Sequence, residues 1–223
     1  MVGISALIHG GCAATVFAFA LGIYRQKPQI GLIERRLASF GWPVQATILG
    51  LLILLFMSGL DMIEGKLNLP LYFVDLAGLI VHEAGHFYMS WAGRFVHAFG
   101  GTLFEIGVPA GLAAWFLVSG RKRLGALALS WLYVALTSVA AYAGDAQDLQ
   151  LPLLGASDLI EDKMAGHDWH VMLSMLNLLD ATELIADIIW STGLVAGLAS
   201  ILLYSWTLLA GRSGRSSWDQ KLS

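Results

Sequence analysis

The chain has 223 residues, of which 57% are hydrophobic and only 13% are charged, with a net charge of -3. A soluble domain carries about 25% charged residues. The deficit therefore excludes an ordinary cytosolic enzyme, a disordered chain and a nucleic-acid-binding protein, which needs a basic surface. A single cysteine excludes a disulfide framework and a cysteine-rich metal site. The composition predicts an all-α, multi-pass membrane protein whose single integral domain covers residues 1–223, with the lipid bilayer as a partner and no nucleic acid bound.

Several segments are apolar over the roughly 20 residues that a helix needs to cross a bilayer. In chain order they are residues 2–24, 44–60, 71–92, 124–143 and 184–210. The first has no basic residue ahead of its apolar stretch, so we expect a retained helix rather than a signal peptide. Residues 93–119 are also apolar, but Gly100-Gly101, Glu105 and Pro109 interrupt them. The sequence thus predicts a polytopic transmembrane helix bundle of five or six spans, with a broken or re-entrant segment at 93–119.

Basic residues indicate which loops face the cytoplasm. Residues 25–43 and the run Arg121-Lys122-Arg123 are basic, so we expect both on the cytoplasmic side. The long polar loop 144–170 is acidic and is expected on the opposite side. If helix 71–92 ends on the cytoplasmic side and residues 93–119 then cross the membrane fully, the run 121–123 would lie outside. That result conflicts with the cytoplasmic side expected for these basic residues. The conflict favours a segment at 93–119 that enters the membrane and returns.

Residues 82–86 read His-Glu-Ala-Gly-His, a spacing with a specific chemical use. On a helix, His82 and His86 lie on one face and can bind one zinc ion between them. Glu83 lies about 100° around the helix, within reach of a water molecule on that ion. The metal lowers the pKa of such a water, and a nearby carboxylate takes its proton. We therefore predict Zn²⁺ as the cofactor, with Glu83 as the catalytic base. The alternative is a buried hydrogen-bonded network that joins helices.

A catalytic zinc site needs a third protein ligand. The stretch Gly166-His167-Asp168-Trp169-His170 lies in the polar loop 144–170 and offers three side chains that could serve. We rank His167 first, His170 second and Asp168 third, because Asp168 could instead cap a helix that begins at residue 169. We call residues 82–86 the pentad. Farther along the chain, residues 100–105 predict either an extended strand whose edge could bind a peptide substrate or a helix joint broken by glycine. Glu105 is either a partner of a metal ligand or an interfacial acid.

The pentad on a transmembrane helix, followed by a glycine-rich segment, resembles the site-2 protease family of intramembrane zinc metallopeptidases. The matching residues are His82, Glu83 and His86, with looser similarity over residues 71–110. The resemblance implies that the two histidines bind zinc, that Glu83 is the general base and that a distant aspartate completes the site. It implies a transmembrane peptide as substrate. The family's Asp-Gly and Asn-Pro patterns are absent from this chain. The stretch 167–170 is similar instead to small uncharacterised, peptidase-like membrane proteins of bacteria, which implies the bacterial inner membrane.

These observations predict an intramembrane zinc-dependent hydrolase, most consistent with a metallopeptidase that uses a metal-activated water. One alternative is a membrane di-iron oxygenase, whose histidine boxes would be His82-x-x-x-His86 and His167-x-x-His170. Haem bound by two histidines, including His9, is another. A non-catalytic accessory subunit of a larger membrane complex is the alternative that is not an enzyme. Zinc content, iron content and a haem absorption band would distinguish these four possibilities.

Overall fold

The computed structural model describes residues 27–62, 69–151 and 159–219, and these residues form helices and turns without a strand. The helices are α1 (Lys27–Ser39), α2 (Trp42–Met62), α3 (Leu69–Met89), α4 (Arg94–Val118), α5 (Lys122–Gly144), α6 (Ile160–Gly166), α7 (Asp168–Leu176) and α8 (Thr182–Asp219). A short 3-10 turn, Leu179–Ala181, precedes α8. The all-α prediction is therefore confirmed for the described part of the chain.

Four helical segments among the described residues are long and apolar enough to cross a membrane. They are Trp42–Leu60, Arg94–Val118, Lys122–Gly144 and Leu179–Ala210. This agrees with an integral, multi-pass membrane protein in contact with lipid. The predicted count of five or six spans is not confirmed. The predicted span 71–92 corresponds to α3, which is not among these four segments. The predicted first span, 2–24, lies outside the described residues.

The predicted break at 93–119 is wrong, because α4 is one continuous helix of 25 residues with Pro109 inside it. The predicted extended edge at 100–105 is likewise helical. Gly100 and Gly101 mark a close helix contact: a methyl group at Gly85 of α3 would overlap the carbonyl group of Gly100. Glycines at such a crossing let two backbones approach each other in a membrane. Here the glycines serve packing, and they do not end the helix.

Helix α5 lies at the centre of the bundle, and Tyr133 is its main core residue. The Tyr133 ring is buried with Val134, Leu136 and Ala196, and its hydroxyl donates a hydrogen bond to the carbonyl oxygen of Phe56 at 2.7 Å. Leu52 packs in one cluster with Ala126. Because residues 52 and 56 of α2 meet residues 126 and 133 of α5, the two helices run in the same direction.

The other neighbours of α5 run the opposite way. Ser200 of α8 donates a hydrogen bond to the carbonyl oxygen of Ala126 at 2.7 Å, whereas Ala186, near the start of α8, lies beside Gly144. Helix α4 precedes α5 through a tight turn at Gly120, whose φ is 73°. Gly125 of α5 faces Leu117 of α4, so α4 and α5 are antiparallel as well.

Helix α3 is antiparallel to α4, because Gly78 lies beside Glu105 and Gly85 beside Gly100. It follows that α2 and α3 run in the same direction although they are consecutive in the chain. This explains the conflict among the basic segments: α4 can run its full length and still bring Arg121 back to the end where α2 begins.

Helix α1 and the basic run 121–123 do share that end. The carboxylate of Glu34 accepts hydrogen bonds from the backbone N–H groups of Arg123 and Leu124 at 3.1 and 3.0 Å. The Arg123 guanidinium lies 3.9 Å from Glu34. The opposite end of α5 leads into the acidic segment 144–170, which contains α6 and the first turn of α7. The pentad of α3 lies toward this second end.

Candidate metal centre

Three side chains from two distant helices converge on one point. His82 Nε2 and His86 Nε2 on α3 are 3.0 Å apart. Asp168 Oδ2, at the start of α7, lies 3.1 Å from the first nitrogen and 3.0 Å from the second. Zinc lies about 2.0–2.2 Å from histidine nitrogen and carboxylate oxygen. One ion can contact all three donor atoms at such distances, so these residues form a group that could hold a metal.

His82 is oriented by Glu105 of α4. Its Nδ1 atom lies 2.8 Å from Glu105 Oε2, and both side chains are buried. An ionised carboxylate can only accept a hydrogen bond, so the ring proton is on Nδ1. Its Nε2 atom faces His86 and Asp168, where a metal ion could take the place of the Nε2 proton. Metal-binding histidines commonly donate their other N–H group to a carboxylate in this way.

His86 is oriented by the main chain of α4. Its Nδ1 atom lies 2.8 Å from the carbonyl oxygen of His97, so Nε2 is the nitrogen that faces the centre, 3.0 Å from Asp168 Oδ2. The His97 ring stacks on the His86 ring with the ring centres 4.8 Å apart. His97 therefore contributes a carbonyl group and a ring surface, and its own ring nitrogens do not join the three donor atoms.

Gly101 gives the centre its space. A methyl group at this position would lie 2.5 Å from His82 Nε2 and 2.6 Å from His86 Nε2. Any residue other than glycine would therefore put carbon against both ligand nitrogens. The donor set and this free space both suit a metal ion, because two imidazoles and a carboxylate are established zinc ligands.

Asp168 is the first residue of α7. It does not cap the helix, which is the alternative role that the sequence allows for it. The cap is His167, whose Nδ1 atom accepts the N–H group of His170 at 3.2 Å. Burial alone would raise the pKa of Asp168, but its hydrogen bonds with His82 and His86 hold that pKa below its ordinary value. The carboxylate is thus in the ionised form that binds metals.

The two histidines that ranked above Asp168 do not join the group. His167 is completely buried, with Nδ1 occupied by the cap and Nε2 3.4 Å from Asp145 Oδ2. Its burial lowers its pKa and favours the neutral ring. His170 lies 2.7 Å, through Nδ1, from the carbonyl oxygen of Ala146. The loop 144–170 does reach the pentad, and the structure favours Asp168, the last-ranked candidate.

Glu83 lies next to His82 in sequence but is not among the three donor residues. It is exposed on α3, on a face where Ile80 and Phe87 are also exposed, by 66% and 76%. Residues Ile80, Glu83 and Phe87 are spaced three and four apart, so they share one side of the helix. Glu83 therefore lies on an exposed, largely apolar side of α3 next to His82, and its role as a base stays a prediction.

Sequence reasoning missed Tyr142, which has no characteristic spacing from the pentad and comes near it only in the folded chain. Gly101 lies in the segment for which the sequence allows an extended edge or a helix joint, and neither alternative predicts the close helix contact. Tyr142 accepts the backbone N–H group of Asp168 at 3.0 Å.

Comparisons with known proteins find no match to this chain among protein-family models, curated proteins or solved structures. The geometry of the centre is therefore the basis for a functional conclusion.

Proposed function

We propose that the protein is an intramembrane zinc-dependent hydrolase, and specifically a metallopeptidase, with His82, His86 and Asp168 as its metal ligands. The observation that carries this proposal is the convergence of three donor atoms within 3.1 Å of one another. Each histidine also has its second ring nitrogen committed to a partner in α4. Hydrogen bonds of this kind fix a ring for metal binding.

The number of ligands favours a catalytic site over a structural one. Structural zinc sites in proteins are closed by four side chains, whereas catalytic sites have three and keep a position open for water or substrate. Among the described residues, the group contains three side chains. Bound there, zinc would supply a Lewis acid that polarises a substrate carbonyl group and makes water more acidic.

Glu83 supplies the remaining function, that of a general base. It follows His82 directly on α3 and is exposed. A carboxylate in this position can accept a proton from the attacking water and return it to the leaving amine. The exposed apolar residues Ile80 and Phe87 flank it on the same face. An apolar peptide segment that approaches from the bilayer would meet this face first.

The alternative functions receive less support from the contacts. A di-iron oxygenase would need His167 and His170 as a second histidine box, but the one group of potential metal ligands among the described residues contains neither of them. A non-catalytic accessory subunit would need no metal, and the His82–Asp168–Glu105 contacts would then serve only to join α3, α4 and α7. Metal content is the property that distinguishes this case.

The test uses the full chain purified in detergent after growth with both zinc and iron. We expect about one zinc per chain in the wild type and in Glu83→Gln, and little in Asp168→Ala. A quenched fluorescent peptide with an apolar transmembrane segment, added to the same micelles, should be cleaved only by the wild type. Two irons per chain would support the oxygenase, and a folded protein without any metal would support the accessory subunit. Either result overturns the proposal.

A further inference from the structure

A second buried group of side chains lies behind the metal centre, and the ligand set above does not use it. We propose that Tyr142 and His167, the latter facing Asp145, are positioning residues that fix Asp168 in the metal centre. We call these three residues the positioning network. This inference rests on the proposed function, because it assigns a role to residues around the proposed third ligand.

The argument begins with the start of α7. The first N–H groups of a helix have no partner within the helix and must find one elsewhere. Tyr142 Oη accepts the N–H group of Asp168 at 3.0 Å, and His167 Nδ1 accepts that of His170 at 3.2 Å. An aspartate at a helix start commonly does this work with its own carboxylate. Here Tyr142 and His167 do it, which leaves the Asp168 carboxylate free to face His82 and His86.

His167 is enclosed by Asp145 and Tyr142. Because its Nδ1 accepts a hydrogen bond, the neutral ring carries its proton on Nε2. The buried Nε2 atom lies 3.4 Å from Asp145 Oδ2, so the carboxylate faces this N–H group without a hydrogen bond between them. The Tyr142 ring packs on the His167 ring, with ring centres 4.2 Å apart and an interplanar angle of 33°. Burial and the contact with Tyr142 restrict this ring in the orientation in which its Nδ1 caps α7.

Asp145 connects this arrangement to the end of α5. Its two oxygens accept the backbone N–H groups of Gln150 and Leu151 at 2.8 and 2.9 Å. The turn after α5 is thereby closed around the same carboxylate that faces His167. The positioning network thus joins α5, the turn and α7 into one unit beside the pentad.

A rigid unit is needed here because the side chains of a metal site must be held within about 0.5 Å of their working positions. The pentad and Asp168 are 86 residues apart in the chain, so no local geometry sets the distance between them. Removal of a group that orients a metal ligand typically lowers metal affinity by about 10- to 100-fold. We expect losses of this size when the positioning network is cut.

The experiment measures Zn²⁺ affinity of the full chain by competition with a chelator, and records the Co²⁺ absorption spectrum of each variant. Tyr142→Phe removes the acceptor for the Asp168 N–H group, and we expect about tenfold weaker Zn²⁺ binding. His167→Ala should weaken binding by about 10- to 100-fold with an altered Co²⁺ spectrum. His167→Asn restores a side-chain cap and should recover most of the affinity.

Tyr204→Phe is the matched control, since it removes a buried tyrosine hydroxyl that bonds Gln45 far from the centre. It should alter thermal stability and leave Zn²⁺ affinity unchanged. Wild-type affinity and spectrum in both Tyr142→Phe and His167→Ala, together with a loss in Asp168→Ala, would overturn the positioning role and leave the proposed function intact. Unchanged affinity in Asp168→Ala would overturn the ligand set and the positioning role together. If His167→Ala fails to fold, Tyr142→Phe and His167→Asn decide the result.

Discussion

Glu105 Oε2 lies 2.8 Å from His82 Nδ1 across the interface between α3 and α4. The pair is buried. Gly78 on α3 lies beside the carboxylate, and a methyl group added at Gly78 would lie 3.5 Å from Glu105 Oε1. The contact therefore fixes the proton of the His82 ring and joins the two helices at the depth of the metal centre.

Removal of this carboxylate should weaken the centre without removing a ligand. We expect Glu105→Ala to lower Zn²⁺ affinity by about 10- to 100-fold, because His82 loses the acceptor that orients it. Glu105→Gln retains an oxygen that can accept the hydrogen bond and should recover part of the loss. Chelator competition measures both. Glu34→Ala, which removes a carboxylate at the opposite end of the bundle, is the control. An equal loss in Glu34→Ala would show a general effect of instability.

Replacement of the base should separate metal binding from catalysis. Glu83→Gln should retain zinc and lower peptide hydrolysis by about 10²- to 10⁴-fold, the usual contribution of a general base. Metal analysis and the fluorescent peptide assay are run on the same preparation. Glu161→Gln alters another exposed acid and should behave like the wild type. Full hydrolysis by Glu83→Gln would rule out the proposed role of Glu83.

The space at Gly101 should be essential for metal binding. Gly101→Ala puts a methyl group 2.5 and 2.6 Å from the two ligand nitrogens, closer than carbon and nitrogen can approach, so the two rings must move away from it. We expect Zn²⁺ affinity to fall at least about tenfold while α4 remains helical by circular dichroism. Gly107→Ala and Gly111→Ala are controls on the same helix, since a methyl group there meets nothing within 4 Å. Normal zinc binding by Gly101→Ala would place the ion elsewhere.

The histidines should differ sharply in their effect on zinc content. His82→Ala and His86→Ala each remove a donor atom and should lose most of the metal. His97→Ala keeps the backbone carbonyl that His86 uses and removes only a stacked ring, so its zinc content should stay close to that of the wild type. Zinc bound per chain, measured by mass spectrometry after dialysis, gives the comparison. Equal losses in all three variants would contradict the assigned ligands.

One prediction concerns the bundle alone. A methyl group at Gly59 of α2 would overlap the hydroxyl end of Tyr133 on α5, and overpacking of this kind costs about 1–3 kcal/mol. Gly59→Ala should therefore lower the midpoint of thermal unfolding in detergent. Gly50→Ala, in the same helix with nothing within 4 Å, should leave the midpoint unchanged or raise it. The reverse order would contradict the contact between α2 and α5.

What the sequence predicts well in this chain is local. Apolar segments 44–60 and 124–143 correspond to helices Trp42–Met62 and Lys122–Gly144, because length and hydropathy suffice to define them. The approach of His82 and His86 follows from helical spacing alone. Asp168 is one of three candidates for the third metal ligand. Only the folded chain shows that His167 caps α7 and that the Asp168 carboxylate faces His82 and His86. Gly100-Gly101 was misinterpreted because a glycine that breaks a helix and a glycine that permits close packing look identical in a sequence.

The separation of 86 residues between His82 and Asp168 has a consequence for biosynthesis. At about 5–20 residues per second, the ribosome makes Asp168 roughly 4 to 17 s after His82. During that interval α3 carries its two histidines without the aspartate, and Glu105, only 23 residues later, is the first acidic partner to be made. The pairing of α3 with α4 would therefore shield the histidines in the nascent protein, and under the proposed function a metal ion would meet all three ligands only when α7 has docked.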